Sequence, residues 1–305
     1  MLLWVVACVC FAQAPIRLEP KEVATGIFVV MGAGGDPGPE NDGASVNVGF
    51  VIGPRGVVVI DTGPHRRYGE ALRAAIRRIT PLPIRLVINT HAHSENVLGN
   101  ASFARHRVPI LATERTRDLM RERCPECVKN YSKALGAGRM QGTEIVLPDR
   151  AIERPTSIRL AGVRLKLVPL GWAHTEGDLA VYDERSGVLF AGGAIYAREI
   201  PYMREAHTQG WLDALAILRR LPLRRIVPGA GPVSGPEALE SQERYLRALL
   251  TSARAKLGRG TDLASAAADM HIPEFSGWAH YAQRHPLNVQ HVLAEIEREA
   301  WQRHE

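Results

Sequence analysis

Lysine is scarce in this chain, and nearly all of its basic residues are arginine. Five lysines stand against 33 arginines (38 minus 5), and the formal net charge is +6. The arginines are scattered along the chain and are not clustered with aromatic residues, which make up only 6% of the sequence. Nucleic-acid binding proteins usually show a clustered basic patch. The composition therefore predicts no nucleic-acid partner, and it is compatible with an anionic small-molecule substrate.

Long apolar runs are also missing, apart from a short one at the N-terminus. Met1 to Ala12 are apolar or small, too few to span a bilayer, and without stop-transfer charges. We interpret residues 1–14 as an export signal with a cleavage candidate at Ala12-Gln13-Ala14, although no Lys or Arg precedes the apolar run. A mis-assigned start codon would explain the missing basic residues. We predict a periplasmic or secreted protein with no transmembrane span, and a lipoprotein signal at Cys8 is the less favoured alternative.

Cysteine is rare as well. Of the four in the chain, Cys8 and Cys10 lie in the presumed signal, which leaves Cys124 and Cys127 as a C-x-x-C pair. An oxidising compartment favours a local disulfide between them, stapling the end of a helix that begins near Thr113. The alternatives are a redox dithiol and half of a zinc site. Because no second C-x-x-C and no thioredoxin-like context exist, the disulfide is the favoured prediction.

Histidines follow two of the predicted strands. His91 and His93 come after the apolar residues 84–88, in the run THAHSEN at residues 90–96. Side chains two positions apart on extended backbone point to the same side, so both imidazoles can reach one ion. His174 follows a second strand-like run and is the third candidate ligand. Three neutral imidazoles around zinc leave a fourth position for a water molecule, whose pKa zinc lowers to about 7.

These motifs resemble those of the metallo-β-lactamase superfamily. Its members carry I-D-T-G, then T-H-x-H-x-D-H and G-x-x-H-T-x-G-D, which correspond here to residues 60–63, 90–96 and 171–178. The resemblance extends from Val23 to Pro232. It implies an α/β fold, a four-layer αββα sandwich, in which His91, His93 and His174 bind zinc.

Within that superfamily the chain is most similar to the quinoprotein relay system zinc metallohydrolases. The segments that carry this likeness are residues 47–51, 124–127 with 142–143, 210–215 and 227–229. The likeness implies an exported protein that accompanies periplasmic dehydrogenases using pyrroloquinoline quinone.

The departures from the superfamily pattern fall almost entirely on a second metal ion. Two-zinc members bind it through the Asp and His that end the first motif, a last His, and an Asp or Cys at a strand end. Those positions here hold Glu95, Asn96, Ala230, and Gly193 or Ala194. Alanine and glycine offer no ligand, and the extra methylene of glutamate adds about 1.5 Å of reach, whereas ligand distances must hold within roughly 0.2 Å. We therefore expect one zinc ion and a degenerate second site.

A single zinc ion still supports attack on an activated carbonyl. We therefore predict a hydrolase of a lactam, lactone, ester or thioester that acts through zinc-bound hydroxide. Glu95 would accept the proton of the water and deliver it to the leaving group. Asp61 and Asp178 would lie behind the ligands and fix the histidine tautomers through hydrogen bonds, with Asn96 beside them.

Two further histidines are weaker candidates for the cleft. His65 lies two residues after the Asp61-Thr62-Gly63 turn and is predicted either to replace a missing ligand, to bind substrate, or to be a solvated loop residue. His207 is a similarly weak candidate for the cleft. The alternative to an enzyme is a catalytically lapsed accessory or binding protein linked to the dehydrogenase systems.

Apolar patterning supports a sandwich of two sheets with helices outside. The predicted strands are 27–31, 47–52, 57–60, 108–111, 164–169, 179–182 and 188–190, and the predicted helices are 68–79, 211–221, 240–256, 261–270 and 287–301, with breaks at Pro273 and Pro286. We expect a metallo-β-lactamase-like domain over residues 15–235 and a helical C-terminal extension over residues 236–305. The glycine-rich residues 32–43 are predicted to form a mobile loop that can cover the cleft.

Overall fold

Alternating apolar side chains build two β-sheets that pack face to face. The structure, a computed structural model, describes residues 16–302, so the predicted export signal and Cys8 lie outside the described residues. Helices cover the outer face of each sheet. This is the four-layer αββα sandwich that the sequence predicts.

The first sheet has seven strands that lie in chain order. They are β1 (Lys21–Ala24), β2 (Ile27–Val30), β3 (Val48–Gly53), β4 (Gly56–Ile60), β5 (Ile84–Ile88), β6 (Ile110–Thr113) and β7 (Arg150–Ile152). The first four pair antiparallel, and β5, β6 and β7 are added in parallel. Side chains alternate between faces, so Val58 and Ile60 meet the second sheet while Val57 and Val59 pack against the outer helices.

The second sheet has five strands, in the order β12-β11-β10-β9-β8. They are β8 (Thr156–Leu160), β9 (Val163–Gly171), β10 (Asp178–Asp183), β11 (Val188–Phe190) and β12 (Arg225–Val227). Leu165 and Leu167 of β9 face the first sheet, whereas Val168 and Leu170 face the helices on the other side. The loops that leave the ends of β5 and β9 carry the three candidate ligands.

Eight α-helices complete the part of the chain that the structure describes. They are α1 (Arg66–Ile79), α2 (Ser94–Val97), α3 (Asn100–Ala104), α4 (Glu114–Leu135), α5 (Thr208–Arg219), α6 (Glu237–Leu257), α7 (Leu263–Asp269) and α8 (Tyr281–Gln302). Helix α1 packs on the first sheet through Tyr68, Leu72 and Ile76. Within residues 16–302, no helix is both long enough and apolar enough to cross a membrane.

Helix α4 begins where the sequence predicts but does not end at the cysteines. The side chain of Thr113 caps it by accepting a hydrogen bond from the backbone N–H of Thr116. The helix then continues through Pro125 to Leu135. A proline inside a helix removes one hydrogen bond but need not end the helix when side chains on either side remain packed. The C-x-x-C pair therefore lies in the middle of α4.

The C-terminal helices share one hydrophobic core with α5 and the second sheet. Trp211 of α5, Tyr245 of α6 and Val289 of α8 are all fully buried in this core. The predicted break at Pro286 is wrong, because α8 begins at Tyr281 and runs through it. Pro286 lies near the start of the helix, where it costs the single bond to the carbonyl of Ala282.

Candidate metal centre

Three histidine rings converge at one edge of the sandwich. His91 and His93 lie between β5 and α2, and His174 lies between β9 and β10. Nδ1 of His93 is 3.2 Å from Nε2 of His174. The ring centroids are 4.7, 4.8 and 5.0 Å apart, and one ring nitrogen of each histidine lies within 4.8 Å of the other two. The structure thus brings together the three residues that the sequence predicts as ligands.

Burial keeps two of these rings neutral. His91 and His174 are 2% and 1% exposed, and burial lowers the pKa of both well below 6.5, with a further decrease from the neighbouring His93. Neutral imidazole is the form that binds metal ions. Each neutral ring has one nitrogen lone pair to offer, and one ring nitrogen of each histidine lies within 4.8 Å of the other two. The set therefore fits a metal ion such as zinc.

The orientation of His91 depends on a hydrogen-bonded chain that leads to Asp61. The hydroxyl of Thr90 donates to Oδ2 of Asp61 at 2.7 Å and lies 2.9 Å from Nδ1 of His91. Because the single hydroxyl proton is used on Asp61, the hydroxyl accepts the ring N–H at Nδ1 and leaves Nε2 with a free lone pair. Asp61 thus acts on the ring through Thr90 and does not contact it.

Asp61 is itself buried and surrounded by donors. It accepts hydrogen bonds from the backbone N–H and hydroxyl of Thr90 and from the side-chain amide of Asn96. Burial raises its pKa to about 7, although these three donors favour the charged form. Its backbone is left-handed at φ 60°, a conformation that costs a non-glycine residue energy and that the three side-chain bonds offset.

Replacing Thr90 by valine is expected to weaken zinc binding about 10- to 100-fold. Valine keeps the size of the side chain but removes the hydroxyl that holds the Nδ1 proton of His91. The dissociation constant, measured by competition with a chromophoric chelator, checks this. Thr156→Val is the matched control, because Thr156 is exposed and its hydroxyl donates to the carbonyl oxygen of Arg154, away from the three histidines. Equal weakening in both variants would contradict the tautomer argument.

Asp178 holds the loop that carries the third ligand. One carboxylate oxygen accepts the backbone N–H groups of His174 at 2.6 Å and Thr175 at 3.0 Å, and the other accepts the Thr175 hydroxyl at 2.6 Å. Burial raises the pKa of Asp178 to about 7, although these hydrogen bonds favour the charged carboxylate and lower the pKa. Asp178 therefore fixes the backbone of the loop and not the ring of His174.

His93, the most exposed of the three histidines, lines a cavity of about 430 Å³, and His91 and His174 lie buried behind it. Glu95 lines it, with Oε1 3.8 Å from Nδ1 of His93, and its Oε2 accepts the hydroxyl of Tyr131 at 2.7 Å. Burial and the Glu95 carboxylate raise the pKa of Tyr131, so it stays a donor. The sequence did not indicate Tyr131, which comes from the last two turns of α4, beyond Pro125.

The opposite walls of the cavity come from distant parts of the chain. Gly35, Asp36 and Pro37 line it, so part of the glycine-rich segment 32–43 borders the cleft as predicted. Arg284 of α8 also lines it and binds Asp36 at 3.1 Å and Glu199 at 2.7 Å. The C-terminal helices thus contribute to the cleft through an arginine that ties them to the glycine-rich segment.

Comparison with known proteins identifies the family to which the chain belongs. A model of the metallo-beta-lactamase superfamily matches residues 41–230, which include all three histidines. The chain belongs to this superfamily. Metallo-beta-lactamase IND-1 of Chryseobacterium indologenes is 23% identical over 171 residues, which cover 55% of this chain and 63% of that protein, less than two thirds of its length.

Solved structures with this fold resemble the chain over most of its length. A metallo-beta-lactamase from Pontibacter korlensis superposes with a TM-score of 0.63 and 22% identity, covering 76% of this chain and 99% of that one. One from Hirschia baltica superposes with a TM-score of 0.62 and 20% identity, covering 76% and 98%. At such identities the likeness shows the fold alone.

Asn96, Gly193 and Ala230 are three of the positions that the superfamily resemblance assigns to a second ion. Ala230 lines the cavity without a donor atom, and Asn96 is buried and gives its amide to Asp61. A Cβ at Gly193 would lie 2.1 Å from Cδ2 of His174. No side chain larger than glycine therefore fits at position 193 while the His174 ring keeps its place.

Gly193→Ala is expected to lower zinc affinity at least about tenfold, by pushing the ring of His174 from its position. Isothermal titration with zinc measures the effect. Gly277→Ala is the matched control, because a Cβ there meets no atom within 4 Å. Unchanged affinity in Gly193→Ala would contradict the close packing of glycine on the third ligand.

The structure places neither of the weaker histidine candidates in the cleft. His65 is fully buried and caps α1, since its Nδ1 accepts the N–H of Tyr68 and its Nε2 lies 3.2 Å from the carbonyl oxygen of Asp42. His207 caps α5 in the same way, through the N–H of Gly210. Both rings serve as helix caps, and neither lines the cavity.

His207 also forms a second cluster of potential ligands with two glutamates. Its Nε2 lies 3.7 Å from Glu295 and 3.8 Å from Glu299, both on α8. Because Nδ1 accepts the N–H of Gly210, the proton of the neutral ring is on Nε2, which then has no lone pair for an ion. The cluster is better explained as a contact that docks α8 on the start of α5.

The predicted disulfide is not found in the structure. Cys124 and Cys127, the two cysteines within residues 16–302, are free, and their Sγ atoms lie 2.9 Å apart, beyond the 2.03–2.05 Å of a bond. The hydrogen bond between the thiols lowers the pKa of Cys127 to about 7. The same hydrogen bond, together with burial, raises the pKa of Cys124.

Proposed function

We propose that the protein is an exported hydrolase with a single zinc site that acts on an activated carbonyl, such as a lactam, lactone, ester or thioester. The observation that carries this proposal is the convergence of three histidine rings beside a carboxylate in a cavity. His91, His93 and His174 would hold the ion. Zinc, when bound, supplies a Lewis acid that polarises a carbonyl and acidifies a water molecule.

Glu95 is the group that would move the proton. Its Oε2 is bound by the hydroxyl of Tyr131, so the carboxylate is held in one orientation and Oε1 stays free to accept a proton. Oε1 is also the oxygen nearer to His93, at 3.8 Å. A water molecule held beside Nδ1 of His93 would therefore lie next to Oε1. The proton taken there can later be given to the leaving group.

The cavity favours a small polar substrate. Its volume of about 430 Å³ is within the usual range for small-molecule sites. Tyr196 and Tyr202 line it, and Arg204, hydrogen-bonded to Tyr202, adds a positive charge. A single ion is the better fit for carbonyl chemistry, since phosphodiester cleavage more often uses two metal ions. The absence of donor atoms at positions 193 and 230 supports the single site.

The likeness to the quinoprotein relay system zinc metallohydrolases supports export and a role beside dehydrogenases that use pyrroloquinoline quinone. The second candidate function is a catalytically lapsed accessory protein of the same systems. The observation that favours it is the loss of ligands at the second-ion positions, which leaves the fold and cavity intact.

Metal analysis combined with an activity screen tests the proposal. The purified protein is reconstituted with zinc, analysed by elemental mass spectrometry and assayed with lactams, lactones and thioesters. About one zinc per chain with measurable turnover is expected. Two zinc ions per chain would contradict the single site, and no zinc would contradict the hydrolase and favour the accessory role.

A further inference from the structure

Cys124 and Cys127 lie one turn apart on α4, in the wall of the histidine cavity. Cys127 is half-buried and lines the cavity. Cys124 is 1% exposed and lies behind it, with Sγ 3.9 Å from the carbonyl oxygen of Ala92. The two sulfur atoms are 2.9 Å apart. A molecule in the cavity can therefore reach one thiol, and that thiol contacts the other.

A purely structural link explains this pair poorly. A disulfide stabilises a protein mainly by restricting its unfolded chain, and the effect grows with the length of the closed loop. Only two residues separate these cysteines, so a permanent link would restrict the unfolded chain very little. Pro125 lies between them and has no N–H to give to the carbonyl of Arg121. The turn thus has one bond fewer to resist the shift that joins the two sulfurs.

We propose that Cys124 and Cys127 form a thiol–disulfide exchange site that takes small-molecule disulfides. Cys127, as the thiolate, attacks one sulfur of a disulfide RSSR, whose S–S bond breaks to release RS⁻ and to leave a mixed disulfide on Cys127. Cys124 then loses its proton and attacks Sγ of Cys127, which releases the second RS⁻ and closes the internal disulfide. The two electrons and two protons given up by the protein convert RSSR to two RSH.

The position of Cys127 favours a small disulfide over one in a folded protein. Its thiol faces a cavity and is only half-buried, so access depends on entry into the cavity. Leu119 and Asn130 of α4 line the same cavity, so the thiol is bordered by neighbouring side chains of its own helix. A bulky protein surface cannot follow a small molecule into this space.

The experiment uses the full chain with Cys8→Ser and Cys10→Ser, so that Cys124 and Cys127 are its remaining thiols. The reduced protein is mixed with dithiobis-nitrobenzoate, a small disulfide whose thiolate product is coloured. About two equivalents of product per chain are expected, and no adduct should remain. Intact-mass measurement should show the loss of two hydrogens, and peptide mapping should place the new bond between residues 124 and 127.

Single serine variants separate the two roles. Cys124→Ser should release about one equivalent and keep the adduct on Cys127, because no second thiol displaces it. Cys127→Ser should react roughly 100-fold more slowly, because the remaining thiol is buried. Circular dichroism checks that both variants fold, and the intact mass of the parent chain decides the question if one does not.

Three results would overturn the proposal. The first is a parent chain that keeps an adduct on each cysteine. The second is a Cys127→Ser variant that reacts as fast as the parent. The third is faster reaction with a disulfide-bonded protein than with the small disulfide, which would overturn the assignment to small molecules.

Discussion

Replacing His174 by alanine is expected to remove zinc from the protein. The three rings supply every side-chain ligand in the cluster, and His174 is the one that approaches His93 to 3.2 Å. Structural zinc sites with four ligands bind with about 10–16 kcal/mol, so one imidazole contributes roughly 3 kcal/mol and its loss lowers affinity about 100-fold or more. Chelator competition measures the dissociation constant, and elemental mass spectrometry measures the zinc content.

His106→Ala is the matched control for this variant. His106 is an exposed histidine beyond the end of α3, and its replacement changes the same side chain without touching the cavity. Its zinc content should equal that of the parent. Since His174 is fully buried, the thermal stability of the metal-free variant is measured as well, to separate lost ligation from lost packing. Full zinc retention in His174→Ala would contradict the three-ring site.

The ligand pair could be predicted from sequence because its geometry is local. His91 and His93 are two residues apart just beyond the end of β5, close enough in the chain for both rings to reach one point even though residues 91 and 92 form a bend. Nothing local links them to His174, which lies 81 residues beyond His93 and reaches them only because the two sheets pack together. The resemblance to the superfamily motifs predicted that His174 joins the pair, and the apolar periodicity of the sequence did not.

The contact between Tyr131 and Glu95 could not be predicted from the sequence, for a different reason. This contact exists only because α4 continues past Pro125 to Leu135, and a proline ordinarily weakens the prediction of a helix. Because a proline usually ends or breaks a helix, the sequence also predicted the C-x-x-C pair at a helix end and a break at Pro286. In both helices the prolines are followed by buried residues that keep the helix packed, Leu135 in α4 and Val289 in α8.

The four edge strands, β1, β7, β8 and β12, also escaped prediction. Two of them, β7 and β8, show little apolar alternation. β7 reads Arg-Ala-Ile, and β8 alternates weakly and remains largely exposed. Strands of this kind are held by hydrogen bonds to a neighbour that is already formed, which no local pattern reveals. His65 and His207 were weak candidates for the cleft because they lie near the motifs, and the structure shows that their rings cap α1 and α5. Histidine is not a favoured capping residue, so no sequence signal marked this role.

Glu95→Gln is expected to remove turnover while the zinc stays bound. Glutamine keeps the length of the side chain and a carbonyl oxygen for the hydroxyl of Tyr131, but its amide cannot accept the proton. General-base groups contribute about 10²- to 10⁴-fold to rate, so kcat should fall by that factor with little change in KM. Kinetics with a substrate from the activity screen, beside elemental analysis of the same sample, measure both quantities.

Glu205→Gln separates proton transfer from the general charge of the cavity. Glu205 also lines the cavity and comes within 4.0 Å of Nε2 of His93, but its other oxygen is bound by Arg123. Its replacement should lower kcat less than about tenfold. If both variants lose activity equally, negative charge near His93 matters and a specific base does not. If Glu95→Gln alone loses activity with its zinc in place, the proton moves through Oε1, because that variant leaves the rings and the Tyr131 contact unchanged.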